Sequence, residues 1–306
     1  MTVDPGRDTT RSLDGTAIAW FRSGDGPPIV LVHGATADHT AWRTVGPVLA
    51  SSHTLYAIDR RGRGASGDTA PYAIAREYED VAAVVDAVAA AERRPVDVVG
   101  HSFGGRVGLG AALLTAHLRR LVVYEGAPAP DGRSFHGDAV MAHLEALAAA
   151  DDREGLLSYF LATVVGMTRD ELAAYRVSPT WPARVEAAPT IVREMWAEAT
   201  EDAGPERYAG IRIPVLQLVG GDSSALFTDG TWALDRLLPS GRVVVIPGAK
   251  HAAHHSHPER FAREVRRFLE ETAVDAANRL PDGAPGLEGV PAEDGRGPGD
   301  LPFDHD

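Results

Sequence analysis

The stretch that most constrains this chain is Val96-Asp97-Val98-Val99-Gly100-His101-Ser102-Phe103-Gly104-Gly105, where an apolar, β-rich run breaks into a serine among glycines. The Gly/Ala-rich segment that follows, Phe103–His117, reads as a helix. A strand that turns into a helix this abruptly needs small neighbours, because backbone segments approach closely at the turn. A serine there projects its hydroxyl clear of the backbone, and the helix N-terminus beneath it favours developing negative charge. The pattern G-x-S-x-G in this context makes Ser102 the candidate nucleophile. The pentapeptide alone is common, and a purely structural Gly-rich turn is the competing reading.

The rest of the chain supplies a setting for such a turn. Thr10–Leu13 and Thr16–Arg22 flank Asp14-Gly15, a hairpin signal. Pro28–His33, Thr54–Asp59, Pro95–Gly100, Leu121–Glu125, Ile213–Val219 and Val243–Ile246 are short apolar runs suited to buried strands. Between them, Ile74, Tyr78, Val81, Val85 and Val88 recur at helical spacing, and Phe261, Val265, Phe268 and Leu269 mark a closing amphipathic helix. This alternation predicts the α/β class, a mostly parallel central sheet flanked by helices. The Ala-rich stretch 129–209 interrupts it with several helices, broken at Pro179, Pro182, Pro189 and Pro205, and reads as a helical lid inserted late in the sheet.

Composition narrows the functions open to this fold. A net charge of −13 over 306 residues argues against a nucleic-acid groove, which needs clustered Lys and Arg. Much of that charge lies in residues 273–306, an acidic Gly/Pro-rich tail expected to stay solvated and disordered. The absence of cysteine excludes disulfides and thiol catalysis. The polar N-terminus and the lack of a long apolar run lead us to expect a cytoplasmic protein with no membrane segment.

Three further motifs appear in order around Ser102. They are His33-Gly34-Ala35, Asp59-Arg60-Arg61-Gly62-Arg63-Gly64-Ala65-Ser66-Gly67, and Gly248-Ala249-Lys250-His251. With the serine turn they resemble the α/β-hydrolase family over about Thr10 to Thr272. The resemblance implies a core of 10–128 and 210–272 with 129–209 as its lid. It also implies that His251 is the general base and that the backbone N–H groups of Ala35 and Phe103 form the oxyanion hole. His254, His255 and His257 crowd the same loop, but no carboxylate or cysteine completes a ligand set, so no metal is expected. These three histidines are expected at the surface or facing the lid. Asp59, Arg60, Arg61 and Arg63 are expected to form a solvated structural turn. Trp42 is left open between lining the pocket and packing.

The acid departs from the family's common pattern. In the family it usually follows the strand read here as Ile213–Val219 at G-x-x-D spacing, and that spacing from Gly220 lands on Ser223, with Asp222 one residue short. Some members place it after the preceding strand, where Glu125 stands. A carboxylate buried at a strand end needs a partner, and an imidazolium is one. Glu125 is therefore preferred, with Asp222 as the alternative.

The activity implied is that of a serine hydrolase acting on a small, largely apolar ester, lactone or thioester, with no cofactor. The alternatives are a C–C bond-cleaving, lyase or haloperoxidase-like enzyme, or a catalytically silent binding protein.

Overall fold

The computed structural model describes residues 6–130, 137–198 and 204–271; the tail 273–306 lies outside the described residues. Eight strands form one sheet in the order β1-β2-β4-β3-β5-β6-β7-β8. They are β1 (Arg7–Arg11), β2 (Ala17–Ser23), β3 (Pro28–Val32), β4 (Thr54–Ile58), β5 (Val96–His101), β6 (Leu118–Tyr124), β7 (Val215–Gly220) and β8 (Gly241–Ile246). β1 and β2 pair antiparallel around the Asp14-Gly15 turn, β2 joins β4 antiparallel, and every later pairing is parallel.

β3 is apolar along its whole length because both faces of the sheet are covered there. In β3 every residue is buried. Val30 and Val32 pack with Val81 and Val85 of α2 (Ile74–Glu92) and Val107 of α3 (Phe103–Ala111). Ile29 and Leu31, pointing the other way, pack with Leu49 of α1 (Gly46–Ala50) and with Phe261 and Val265 of the closing helix (Pro258–Glu270). The sheet is thus the middle of a three-layer sandwich. Helix α3 is shorter than the expected Phe103–His117. The chain unwinds because the His117 carbonyl accepts from the Val96 N–H at 2.9 Å, drawing it into the sheet ahead of β6.

Between β6 and β7 stand α4 (Asp138–Ala149), α5 (Arg153–Tyr159), α6 (Arg169–Arg176), α7 (Trp181–Ala187) and α8 (Thr190–Glu198). This insertion has its own apolar cluster, including Leu144, Leu157, Phe160, Trp181, Ile191 and Met195, with Ala35 of the core packed against it. Helix α9 (Ala225–Asp235), between β7 and β8, was not expected from the sequence.

The turn after β4 corrects one expectation outright. Asp59, Arg60, Arg61 and Arg63 are each at most 3% exposed, so the turn is buried, not solvated. Their partners come from distant elements. Arg61 makes a two-pronged contact with Asp80 of α2, both N–O distances 2.7 Å. Arg60 donates to Glu77 of α2 at 2.7 Å and to Glu194 of α8 at 2.7 Å. Arg63 also pairs with Glu194. Burial alone would push the Glu77 carboxyl up, but the charges of Arg60 and Arg63 hold it down at about 2.

Removing one member of a buried pair strands the other charge, typically at a cost of about 3–5 kcal/mol. Arg61→Met should therefore lower unfolding free energy in urea by that order. Arg153→Ala, which removes an exposed guanidinium, should leave the midpoint in place.

Candidate active site

β5 ends at His101 and α3 begins at Phe103, so Ser102 alone makes the turn, at φ 53° and ψ −129°. This is a conformation side-chain-bearing residues rarely adopt, and it persists only where neighbours over-determine it. Here the Ser102 N–H donates to the Tyr124 carbonyl at 2.8 Å, and the Ser102 carbonyl accepts from Gly105 and Arg106 of the first helical turn. Missing side chains allow the close packing. A Cβ on Gly104 would lie 2.3 Å from the carbonyl oxygens of Val32 and His33, and one on Gly126 would lie 2.5 Å from the Ser102 carbonyl oxygen.

The loop after β3 passes directly alongside, where a Cβ on Gly34 would stand 3.1 Å from the Ser102 Cβ. His33, fully buried, holds that loop. Its Nδ1 donates to the Gly34 carbonyl at 2.8 Å, and its Nε2 accepts the Arg60 N–H at 3.0 Å. Burial and then the charge of Arg60 push its pKa well below the ordinary histidine value, so the ring is neutral and keeps this tautomer. The N–H groups of Ala35 and Phe103 have no acceptor among the described residues.

His251 follows β8, and its Nδ1 lies 2.6 Å from Glu125 Oε2. Glu125 stands just beyond β6 at φ 49°, with a fully buried side chain. Its other oxygen accepts from the Gly220 N–H at 2.7 Å and the Ser223 hydroxyl at 2.5 Å. Asp222, the alternative, is solvent-exposed, and no hydrogen bond joins its carboxylate to His251 among the described residues. The structure thus brings Glu125, not Asp222, to the histidine.

The segment carrying His251 is tied down by residues that sequence reasoning missed. The His101 Nε2 donates to the His251 carbonyl at 2.8 Å. The Tyr124 hydroxyl donates to the Lys250 carbonyl and accepts the Ala253 N–H. Phe227 of α9 stacks on the His251 ring, centroids 4.0 Å apart and planes 13° from parallel. The one available signal was at Ser223, where the G-x-x-D spacing landed.

His254 corrects a second expectation. It is buried, not at the surface or facing the insertion, packed 4.3 Å from the His101 ring and 5.5 Å from Trp42 (ring centroids). Trp42 itself is a core residue. The His255 Nδ1 lies 3.0 Å from the Thr44 hydroxyl, and its ring centre is 4.3 Å from that of His254.

Ser102, Ala35, Phe103, Glu125 and His251 line one cavity. The insertion contributes Phe160, Val164, Ile191 and Met195, making much of its wall apolar, while Arg106, Glu194 and Glu198 bring charge to it. Burial pushes the Glu198 carboxyl up, against the pull of Arg106. Such a site can pass a proton from a hydroxyl to an imidazole whose far nitrogen is fixed by a carboxylate, beside two unengaged N–H donors.

Comparison with known proteins bears on the family and the fold. A sequence model described as the alpha/beta hydrolase family matches residues 29–264. The chain is 28% identical over 275 residues to a pimeloyl-[acyl-carrier protein] methyl ester esterase of Edwardsiella ictaluri, covering 85% of this chain and 100% of that one. It is 30% identical over 255 residues to a 2-hydroxy-6-oxo-2,4-heptadienoate hydrolase of Pseudomonas putida, covering 80% and 90%. Among solved structures, an alpha/beta hydrolase from Sphaerobacter thermophilus superposes with a TM-score of 0.75 at 34% identity, covering 86% of this chain and 100% of that chain.

The packing at Gly104 yields a direct test. Gly104→Ala must push the serine turn away from the loop after β3, and overpacking of this kind costs about 1–3 kcal/mol. A lowered midpoint in thermal or urea unfolding is the expected result.

Proposed function

The chain belongs to the α/β-hydrolase family, and we propose that it is a serine hydrolase cleaving a small-molecule ester, lactone or thioester. One observation carries the reading: a serine on a strained strand-to-helix turn and a carboxylate-bound histidine line the same cavity. The esterases among its relatives support ester cleavage in particular.

In this reading His251 takes the proton of the Ser102 hydroxyl as the oxygen attacks the carbonyl carbon. Glu125 holds the Nδ1–H, fixing the tautomer that leaves Nε2 as base, and stabilises the imidazolium that forms. The N–H groups of Ala35 and Phe103 receive the oxyanion; each such donor is typically worth about 3 kcal/mol in the transition state. His251 then protonates the leaving group, and water, activated by the same imidazole, hydrolyses the acyl-enzyme. The side chains of this mechanism need no cofactor or metal.

We assign residues 10–128 and 210–272 to the catalytic core and 129–209 to a lid that shapes the cavity. The substrate is a small molecule, largely apolar where it meets Phe160, Val164, Ile191 and Met195. No described helix is long and apolar enough to cross a membrane. We place the protein in the cytoplasm, a reading with which a chain free of cysteine is compatible.

A fluorophosphonate probe should label Ser102, and p-nitrophenyl esters of increasing chain length should be turned over. Ser102→Ala should abolish both. Glu125→Gln should lower kcat by roughly 10⁴, the scale of triad precedents, while Asp222→Asn stays near wild type. An unlabelled Ser102 in active protein would overturn the mechanism, and a collapse confined to Asp222→Asn would reassign the acid.

A further inference from the structure

Helix α8 presents Ile191, Glu194, Met195 and Glu198 to the cavity, the spacing of a single helical face. Ile191 and Met195 suit an apolar wall, but the stripe is half carboxylate. Glu194 is 1% exposed. Its Oε1 is held by Arg60 and Arg63, and its Oε2 is buried with no hydrogen-bond partner. An orphaned carboxylate oxygen is costly when water is excluded, and native structures rarely leave one without a role.

The charge around it limits what it can receive. Arg60 and Arg63 are shared between Glu77 and Glu194, so two guanidiniums already balance two carboxylates. Arg106, on the same cavity wall, is paired with Glu198 at 3.5 Å, so three guanidiniums stand against three carboxylates and Oε2 is an acceptor within a neutralised cluster. An ammonium would add positive charge that this balanced cluster does not offset, and a carboxylate would face Oε2 lone pair to lone pair. A neutral donor fits both conditions.

We propose that Glu194 is a specificity residue whose Oε2 accepts a hydrogen bond from a hydroxyl of the substrate, remote from the scissile carbonyl. The substrate class is thus a hydroxylated ester, lactone or thioester with an apolar middle. This inference rests on the serine hydrolase reading and deepens it.

The test is a matched series of esters whose chain ends in methyl, methoxy, hydroxyl, ammonium or carboxylate. The series is built once on the acyl side, as p-nitrophenyl esters, and once on the alcohol side, as acetates followed by pH-stat. Methoxy accepts but cannot donate, so the hydroxyl-to-methoxy ratio of kcat/KM isolates donation to Oε2. In the wild type that ratio should be roughly tenfold or more in one of the series, as expected for a hydrogen bond to a charged acceptor. In Glu194→Gln the amide oxygen stays with the two guanidiniums and the NH₂ takes the place of Oε2. The ratio, read within the variant, should then fall towards unity.

A wild-type ratio near one in both series would overturn the proposal, since no substrate hydroxyl would then be donating to Oε2. A preference for carboxylate would overturn it in favour of Arg106, and a preference for ammonium would overturn the charge argument. The wild-type series decides the matter even where Glu194→Gln does not fold. If no ester is turned over and the probe leaves Ser102 unlabelled, the hydrolase reading itself fails. Turnover of the methyl-ended ester without hydroxyl preference defeats only the present inference.

Discussion

The structure depends on a close approach of bare backbone around Ser102. Three segments meet there: the turn from β5 into α3, the loop after β3, and the chain leaving β6. At Gly34, Gly104 and Gly126 a side chain would stand between 2.3 and 3.1 Å from a neighbouring atom. The tight crossing holds the serine in its left-handed conformation, because the Tyr124 carbonyl and the first turn of α3 leave the backbone no other path. It also brings Ala35 and Phe103 to the cavity that Ser102 lines. The reactive geometry follows from what these residues lack as much as from what they carry.

A second layer of organisation is ionic. Arg60 reaches Glu77 on α2 and Glu194 on α8, and its guanidinium lies 4.5 Å from the centre of the Phe103 ring, next to the nucleophile. The insertion is therefore not only an apolar cap resting on Ala35. It is also moored by charges that have given up most of their hydration, and such charges tolerate little displacement from their partners. The middle of α8, which carries Glu194, is the part of the cavity wall so fixed.

How much of this was legible depended on the range of the interactions involved. Strand runs, the hairpin at Asp14-Gly15 and the serine turn are written in local patterns of apolar residues and glycines. Each expected strand was found within a few residues of its place, and the order of motifs led to Ser102, His251 and Glu125 as residues that share a cavity. The buried arginines were misread because their partners lie far along the chain. Arg61 and Asp80, or Arg60 and Glu194, look like ordinary surface charges until the fold brings them together. His254 was misplaced for the same reason, since its neighbours His101 and Trp42 belong to other elements. Helix α9 went unseen, and with it Phe227 on the face of His251. The choice of Glu125 over Asp222 was narrow in the sequence. What separates them in space is depth, one side chain fully buried and the other in water.

Ser223 gives that separation a wider meaning. It stands where the spacing common in the family calls for an acid, yet it is a hydroxyl donating to the carboxylate that arrives from β6. The ends of β6 and β7 are adjacent strands of a parallel sheet, so side chains leaving them converge on one point beneath the histidine. The fold specifies that point and leaves open which strand delivers the charge to it. Acids at both ends would place two carboxylates in hydrogen-bonding range, where like charges oppose joint ionisation. A serine at one of them makes a donor and an acceptor of what would be a repulsive pair. Residue 223 thus serves, as a neutral donor, the charge that the neighbouring strand brings to the shared point.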